Sequence, residues 1–482
     1  MSSYVKETFK EYATVRISKI VLEDFKSVGY GEITLNCGRH FIPAGSEPDL
    51  LGLYGQNGSG KTTLIEAISI LKHLLSGRRV PDAYAECIAV DADFARLSFE
   101  FDFQYPSGRM VRVGYSVCLE AVAVEDPVSM LSSERRSGKR LRVFDEIVRM
   151  GGDLDGAEQP YRACINTSTV SVRPFSPASK HSLFFSASAK TKASLFVKRI
   201  LAEERSQSFV FMNDVLTLDD DSGIFNKKKG ERSDYYIALW ELKCFGSRYL
   251  FVIDTTSPAL ASADITLPLF TPYGTIPFSS NGSQEMPVTL AQSLQKPIDS
   301  INGVLGALIP GFSISLRELG PTILKNGKEG VHVALMSCRD GKEFPIRFES
   351  DGIKKIVSDA GLLITVFNEK SATVVIDEFD AGVFEYLLGE ILHIMQDYGH
   401  GQLIFTSHNL RPLEVLDKKY IWFTTTNPDN RYYHMKNVPD NNLREAYFRE
   451  IMVGEQDEEL YDGSKRFKVV AAFRKAVTNY AV

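Results

Sequence analysis

The 482-residue chain has six cysteines, and no two of them stand in a C-x-x-C spacing. Cys37, Cys87, Cys118, Cys164, Cys244 and Cys338 lie singly, which excludes a disulfide framework and a zinc site and suits a reducing compartment. No apolar run approaches the roughly 20 residues that a membrane span requires. The first twenty positions are broken by Lys6, Glu7, Lys10, Glu11 and Arg16, unlike a secretory leader. A cytoplasmic protein with no membrane partner is the expectation. Positive charge is not in excess either: the net charge is −6, so bulk attraction to a polyanion is excluded and any nucleic-acid contact has to be local. No heptad pattern persists beyond a few turns, so no long coiled coil is expected. The eight histidines show no metal-ligand spacing.

What the chain does contain is a loop rich in glycine between a strand and a helix. Gly55-Gln56-Asn57-Gly58-Ser59-Gly60-Lys61-Thr62 fits G-x-x-x-x-G-K-[ST], and a second hydroxyl follows at Thr63. A triphosphate must be wrapped by backbone N–H groups without side chains in the way, and a helix that starts at the phosphates adds its positive end. Lys61 would reach the β- and γ-phosphates, and the Thr62 hydroxyl would ligate Mg²⁺. The flanks agree with this. Leu50, Leu51, Leu53 and Tyr54 read as a buried strand, and Leu64, Ile65, Ile68, Leu71 and Leu75 recur at helical spacing.

Along the chain, Val15 onward alternates as a strand, and Gly29 to Gly31 is expected to turn it into a second strand, EITLN. Two more alternating runs, Leu97 to Phe103 and Val111 to Leu119, join through Tyr105-Pro106-Ser107-Gly108 as a hairpin, suggesting an antiparallel side sheet. From there to about Gly330 the pattern is irregular. Basic clusters occur at Arg135, Arg136, Lys139, Arg140 and Arg142, and at Lys227, Lys228, Lys229 and Arg232. Nearby acids such as Glu134, Asp220 and Asp221 favour solvated loops over phosphate contacts. Leu290, Leu294, Ile298, Ile301, Leu305 and Leu308 predict a core helix kinked near Pro297. The expected division is therefore 1–120 and 287–482 as two parts of one nucleotide-binding core, with 121–286 inserted.

Downstream, Ser350 or Asp351 is a suitable N-cap for a helix whose apolar face is Ile356, Val357, Ala360, Leu363 and Ile364. Residues 372–376, ATVVI, then form a buried strand that ends in Asp377-Glu378-Phe379-Asp380. With a phosphate loop in the same chain, Asp377 would hold Mg²⁺ through water, and Glu378 would orient or deprotonate the attacking water. A further strand, Leu403 to Thr406, ends at Ser407-His408-Asn409, which places His408 to hydrogen-bond the γ-phosphate and sense its loss. Strands at Tyr420–Phe423 and Arg431–His434, and helices over Leu443–Val453 and Lys465–Val477, complete the reading.

GLYGQNGSGKTTLIEAI, SDGIKK, VVIDEFD and LIFTSHN, with the Asn-Leu-Arg-Glu-Ala-Tyr stretch at 442–447, together resemble the ABC-type, SMC-like and OLD-related AAA-family ATPases. The likeness is strongest to the short-armed group in bacterial anti-phage systems, such as the ATPases of Septu and PARIS. It covers about 15–120 and 287–482 and implies an α/β fold: a P-loop core with a mixed sheet, an antiparallel side sheet and an inserted α/β region. It also implies ATP and Mg²⁺ as cofactors. Ser350, Asp351 and Gly352 would be the signature that completes the site of a second protomer, hence a homodimer or a multiple of dimers. The signature reads SDG and not SGGQ, and no lid glutamine is identifiable. Fewer than eighty residues follow His408, so the nuclease domain of OLD-type chains is not expected here.

The expectation that follows is an ATP-hydrolysing subunit of an anti-phage complex. It would control a separate effector nuclease of HNH or TOPRIM type, with DNA or a phage-encoded trigger as further partners. One alternative is a DNA-repair or chromosome-maintenance ATPase that binds DNA directly, with steep salt dependence. Another is a non-hydrolysing, ATP-bound scaffold that holds a toxin or nuclease.

Overall fold

Short runs of branched and aromatic residues alternate between two faces in the strands that carry the motifs, and each face meets its own core. Val374 and Ile376 point one way and Val375 the other; Leu403 and Phe405 are likewise separated from Ile404. The computed structural model describes residues 11–35, 49–124, 138–168, 173–186, 188–216, 233–254, 266–271, 274–279, 282–435, 443–453, 458–460, 469–473 and 475.

The core sheet has six strands in the order Tyr432–Tyr433, Ile421–Thr424, Asp49–Tyr54, Gln402–Thr406, Thr373–Ile376 and Leu250–Ile253. All neighbours are parallel except the Tyr432–Tyr433 edge. Parallel strands end at the same side of a sheet, so the loops after Tyr54, Ile376 and Thr406 emerge together. The Gln402–Thr406 strand lies between the other two, which puts the phosphate loop and Asp377 on either side of Ser407 and His408.

A second, antiparallel sheet has the order Val28–Thr34, Thr14–Phe25, Ala95–Gln104, Met110–Val124, Gly138–Leu154 and Ala157–Asn166. The helix Lys61–Leu75 packs between the two sheets, with Leu64, Ile65, Ile68, Leu71 and Leu75 wholly buried. The sheets are also tied by polar groups. The Gln402 side chain donates to the Ile17 carbonyl at 2.8 Å and to the Asp49 carboxylate at 2.7 Å. A third unit joins the strands Ser283–Pro287, Glu329–Arg339, Phe312–Ile323 and Lys342–Pro345 to the helices Gln295–Leu308 and Asp351–Asn368. The architecture is the expected α/β one, a mixed core sheet with an antiparallel side sheet, and the longest helix among the described residues has 18 residues.

Several local expectations shift. The first hairpin turns at Lys26-Ser27 and not at Gly29 to Gly31; those glycines lie within Val28–Thr34. A side chain at Gly29 would strike Asp429, and one at Gly31 would strike the Tyr432 ring, each at 2.6 Å, so glycine serves close approach here. The helix through Pro297 breaks at Leu294, between Val288–Ser293 and Gln295–Leu308, because proline in the first turn lacks the N–H that would continue the ladder. Within segment 121–286, Gly138–Leu154 and Ala157–Asn166 extend the side sheet, and Leu250–Ile253 is a core-sheet edge. Arg140 pairs with Glu204, and Arg142 with Glu120 and Glu203. Arg135, Arg136, Lys227, Lys228, Lys229 and Arg232, with most of the helix expected at 465–477, lie outside the described residues.

Candidate functional site

The strand Asp49–Tyr54 runs into the loop at Gly55, whose φ of 152° and whose contact with Thr424 leave no space for a side chain: a Cβ would sit 1.7 Å from the Thr424 hydroxyl. Ser59 folds inward, donating to the Gln56 carbonyl at 2.6 Å and meeting the Thr424 hydroxyl. Gly60, at φ 98°, stands at the helix N-terminus, so the backbone N–H groups of the first turn face a cleft of about 630 Å³. Asn57, Gly58, Gly60, Lys61, Thr62 and Thr63 line it from this side and Asp377, Glu378, Thr406 and His408 from the neighbouring strand ends, and Lys26, Ser27, Glu86, Ile88, Ala89 and Val90 complete the lining. Gly55, Gln56 and Ser59 shape the loop from behind.

Lys61 donates to the carbonyls of Gly55 at 2.8 Å and Gln56 at 2.9 Å. Burial lowers its ammonium to about 8, against the upward pull of Asp377, Glu378 and Asp380. A phosphate prefers the charged form, so affinity for ATP should be complete below pH 8 and fall as pH rises through it, up to about tenfold per unit. Calorimetric titration near pH 7 and near pH 9 is expected to show about a tenfold weakening; equal affinities would mean that Lys61 does not meet the ligand.

Thr62 and Asp377, 315 residues apart in sequence, are in contact: the hydroxyl donates to Oδ2 at 3.1 Å. The other carboxylate oxygen accepts from Thr406 at 2.5 Å. Hard oxygen donors, one of them a buried carboxylate, fit Mg²⁺, which keeps several waters and otherwise binds phosphates. Among the described residues no group of three or more His, Cys, Asp or Glu is placed to hold an ion without such a ligand. Glu378 has φ 48°, and its backbone N–H donates to Thr406 at 2.8 Å, so its carboxylate is exposed at the cleft while Asp377 is buried beneath.

His408 lines the cleft and is exposed. Its backbone N–H and that of Asn409 donate to the Asp380 carboxylate, at 3.2 Å and 2.9 Å. Asp380 thus ties the acidic strand end to the histidine loop. Sequence reasoning passed over Asp380, Thr406 and Thr424; an acid three residues after Asp377 and a hydroxyl ending the LIFT strand were the available signals for the first two.

Ser350, Asp351 and Gly352 do not line this cleft. Ser350 is the N-cap, accepting from the Ile353 N–H at 3.4 Å, and the exposed Asp351 pairs with Lys354. Gly352 rests on the loop after the acidic strand: a Cβ there would lie 1.9 Å from the Gly382 carbonyl. Gly352→Ala should therefore force two backbones apart and destabilise the fold by about 1–3 kcal/mol, measured as a lowered midpoint of urea unfolding. An unchanged midpoint would mean that this contact is slack.

Residues 50–155 match the family model described as "AAA domain, putative AbiEii toxin, Type IV TA system". None of the curated proteins matches the chain. Among solved structures it is similar to the SMC head bound to the C-winged helix domain of ScpA, at 12% identity over 90% of this chain and 99% of that one (TM-score 0.39). It is also similar to the SMC head domain from Thermotoga maritima, at 13% identity over 87% and 99% (TM-score 0.35). A third is the recombination mediator RecF bound to ATP, at 13% identity over 88% and 100% (TM-score 0.36). The stretch similar to an AAA-family domain runs from the phosphate-loop strand into the side sheet.

Proposed function

We propose that the chain binds and hydrolyses ATP as the nucleotide-dependent subunit of a bacterial anti-phage complex, assembling as a homodimer or a multiple of dimers and controlling a separate effector nuclease. The observation that carries the nucleotide reading is the 3.1 Å contact between the Thr62 hydroxyl and Asp377, since it brings the two separately recognised motifs to one point. The defence reading rests on the four motif strings and on the toxin–antitoxin description of the matching family.

In this reading the loop N–H groups and Lys61 bind the phosphates, and Thr62 and Asp377 hold Mg²⁺, which when bound supplies positive charge against the phosphate oxygens. Glu378 accepts a proton from, or orients, the attacking water. His408 contacts the γ-phosphate, and Asp380 holds the loop on which it sits. Ser350, Asp351 and Gly352 reach the nucleotide of a second copy. Because γ-phosphate contacts exist in one arrangement of the protomers only, binding and hydrolysis shift the assembly between two states.

The test is twofold. Purified protein should release phosphate from MgATP over multiple turnovers, and no ATP binding at millimolar concentration would end the nucleotide reading. Bacteria carrying the chain with its neighbouring reading frame should resist phage, and Lys61→Ala should abolish that resistance; resistance that survives Lys61→Ala would end the defence reading.

A further inference from the structure

The phosphate loop is held from behind by an edge of the core sheet that lies more than 360 positions away in sequence. Tyr432, buried, donates its hydroxyl to the Gly60 carbonyl at 3.0 Å. Gly60 is the last loop residue before the helix and has φ 98°, so its peptide orientation sets where the first helical N–H groups point. Beside it, the buried guanidinium of Arg431 spans two backbone carbonyls, Thr425 at 2.7 Å and Ser27 at 2.5 Å, with its aliphatic stem against Gly60. Ser27 lines the cleft as well. This edge is braced in turn: Tyr447 stacks on Phe423 with centroids 5.0 Å apart, and the Thr426 N–H donates to the Glu459 carbonyl at 2.8 Å.

We propose that Tyr432 and Arg431 are positioning residues for nucleotide binding: they fix the Gly60 peptide and hold the Ser27 turn beside it, so that the cradle is formed before the ligand arrives. Neither reaches the nucleotide. A preformed cradle spares the ligand the cost of ordering the loop, and that saving appears as affinity. The inference rests on the nucleotide reading above.

The test uses Tyr432→Phe, which removes one hydroxyl and keeps the ring against Gly31, with Tyr432→Ala as the packing control and Lys61→Ala as the site control. Tyr432→Phe should melt within about 2 °C of the parent yet bind nucleotide about five- to tenfold more weakly, the effect of one lost hydrogen bond. The loss should be the same for ATP and ADP, because the loop cradles the α- and β-phosphates that both carry. Tyr432→Ala should lose stability as well. If Tyr432→Phe binds both nucleotides like the parent while Lys61→Ala does not, the positioning role is overturned and the site stands. A melting temperature that falls in step with affinity in Tyr432→Phe also overturns it. If Lys61→Ala binds like the parent, the site reading itself fails.

Discussion

Lys61→Ala is expected to weaken ATP binding by about 100-fold and to abolish measurable turnover. Two lysines line the cleft, and Lys26 is engaged by Glu66 at 2.6 Å. Lys61 is thus the cation left among the described residues to meet the phosphates, near Asp377, Glu378 and Asp380. Losing one charge-assisted interaction in a largely desolvated site costs about 1.5–3 kcal/mol, on the order of ten- to a hundredfold in affinity. The upper end applies because the uncompensated carboxylates then face the triphosphate. Calorimetry with ATP measures the effect, and affinity within about twofold of the parent would show that the loop is not the phosphate site. The fold should persist, since the bonds given up are those to the Gly55 and Gln56 carbonyls, and Gln56 keeps the Ser59 hydroxyl as a donor.

Glu378→Gln separates binding from chemistry. The change keeps the side-chain volume and leaves the backbone bond from residue 378 to Thr406 in place. It removes the carboxylate that would take or orient a proton. Turnover should fall by about 10²- to 10⁴-fold, the range of a lost general base, while ATP affinity holds or rises because one negative charge has left the cleft. Single-turnover phosphate release together with nucleotide binding decides the matter. A variant that hydrolyses at the parent rate assigns the base elsewhere; one that no longer binds assigns Glu378 to ground-state recognition.

Much of this site was legible along the chain. The loop and its helix announce themselves because phosphate wrapping imposes glycines, a lysine and a hydroxyl at set offsets, and burial imposes the 3.6-residue repeat from Leu64 to Leu75. The Ser350 cap and the strands that end at Asp377 and Ser407 were visible for the same reason: each is specified by neighbours within a few positions. Turn placement was less secure. Gly29 and Gly31 look like turn residues until the Asp429 and Tyr432 side chains arrive from the far end of the chain, and a helical stretch around Pro297 does not say which peptide will yield.

Local order thus follows from residue spacing, because helices, strands, caps and phosphate loops are built from contacts a few residues apart. Strand neighbours, the docking of Leu250–Ile253 beside Thr373–Ile376, the hold of Asp380 on the His408 loop and the support of Gly60 by Tyr432 leave no periodic trace. They join surfaces distant in the chain, and their partners are chosen by shape, buried area and hydrogen-bond completion once the layers close. Chemistry was therefore written in short motifs, and its alignment into one cleft came from packing between them.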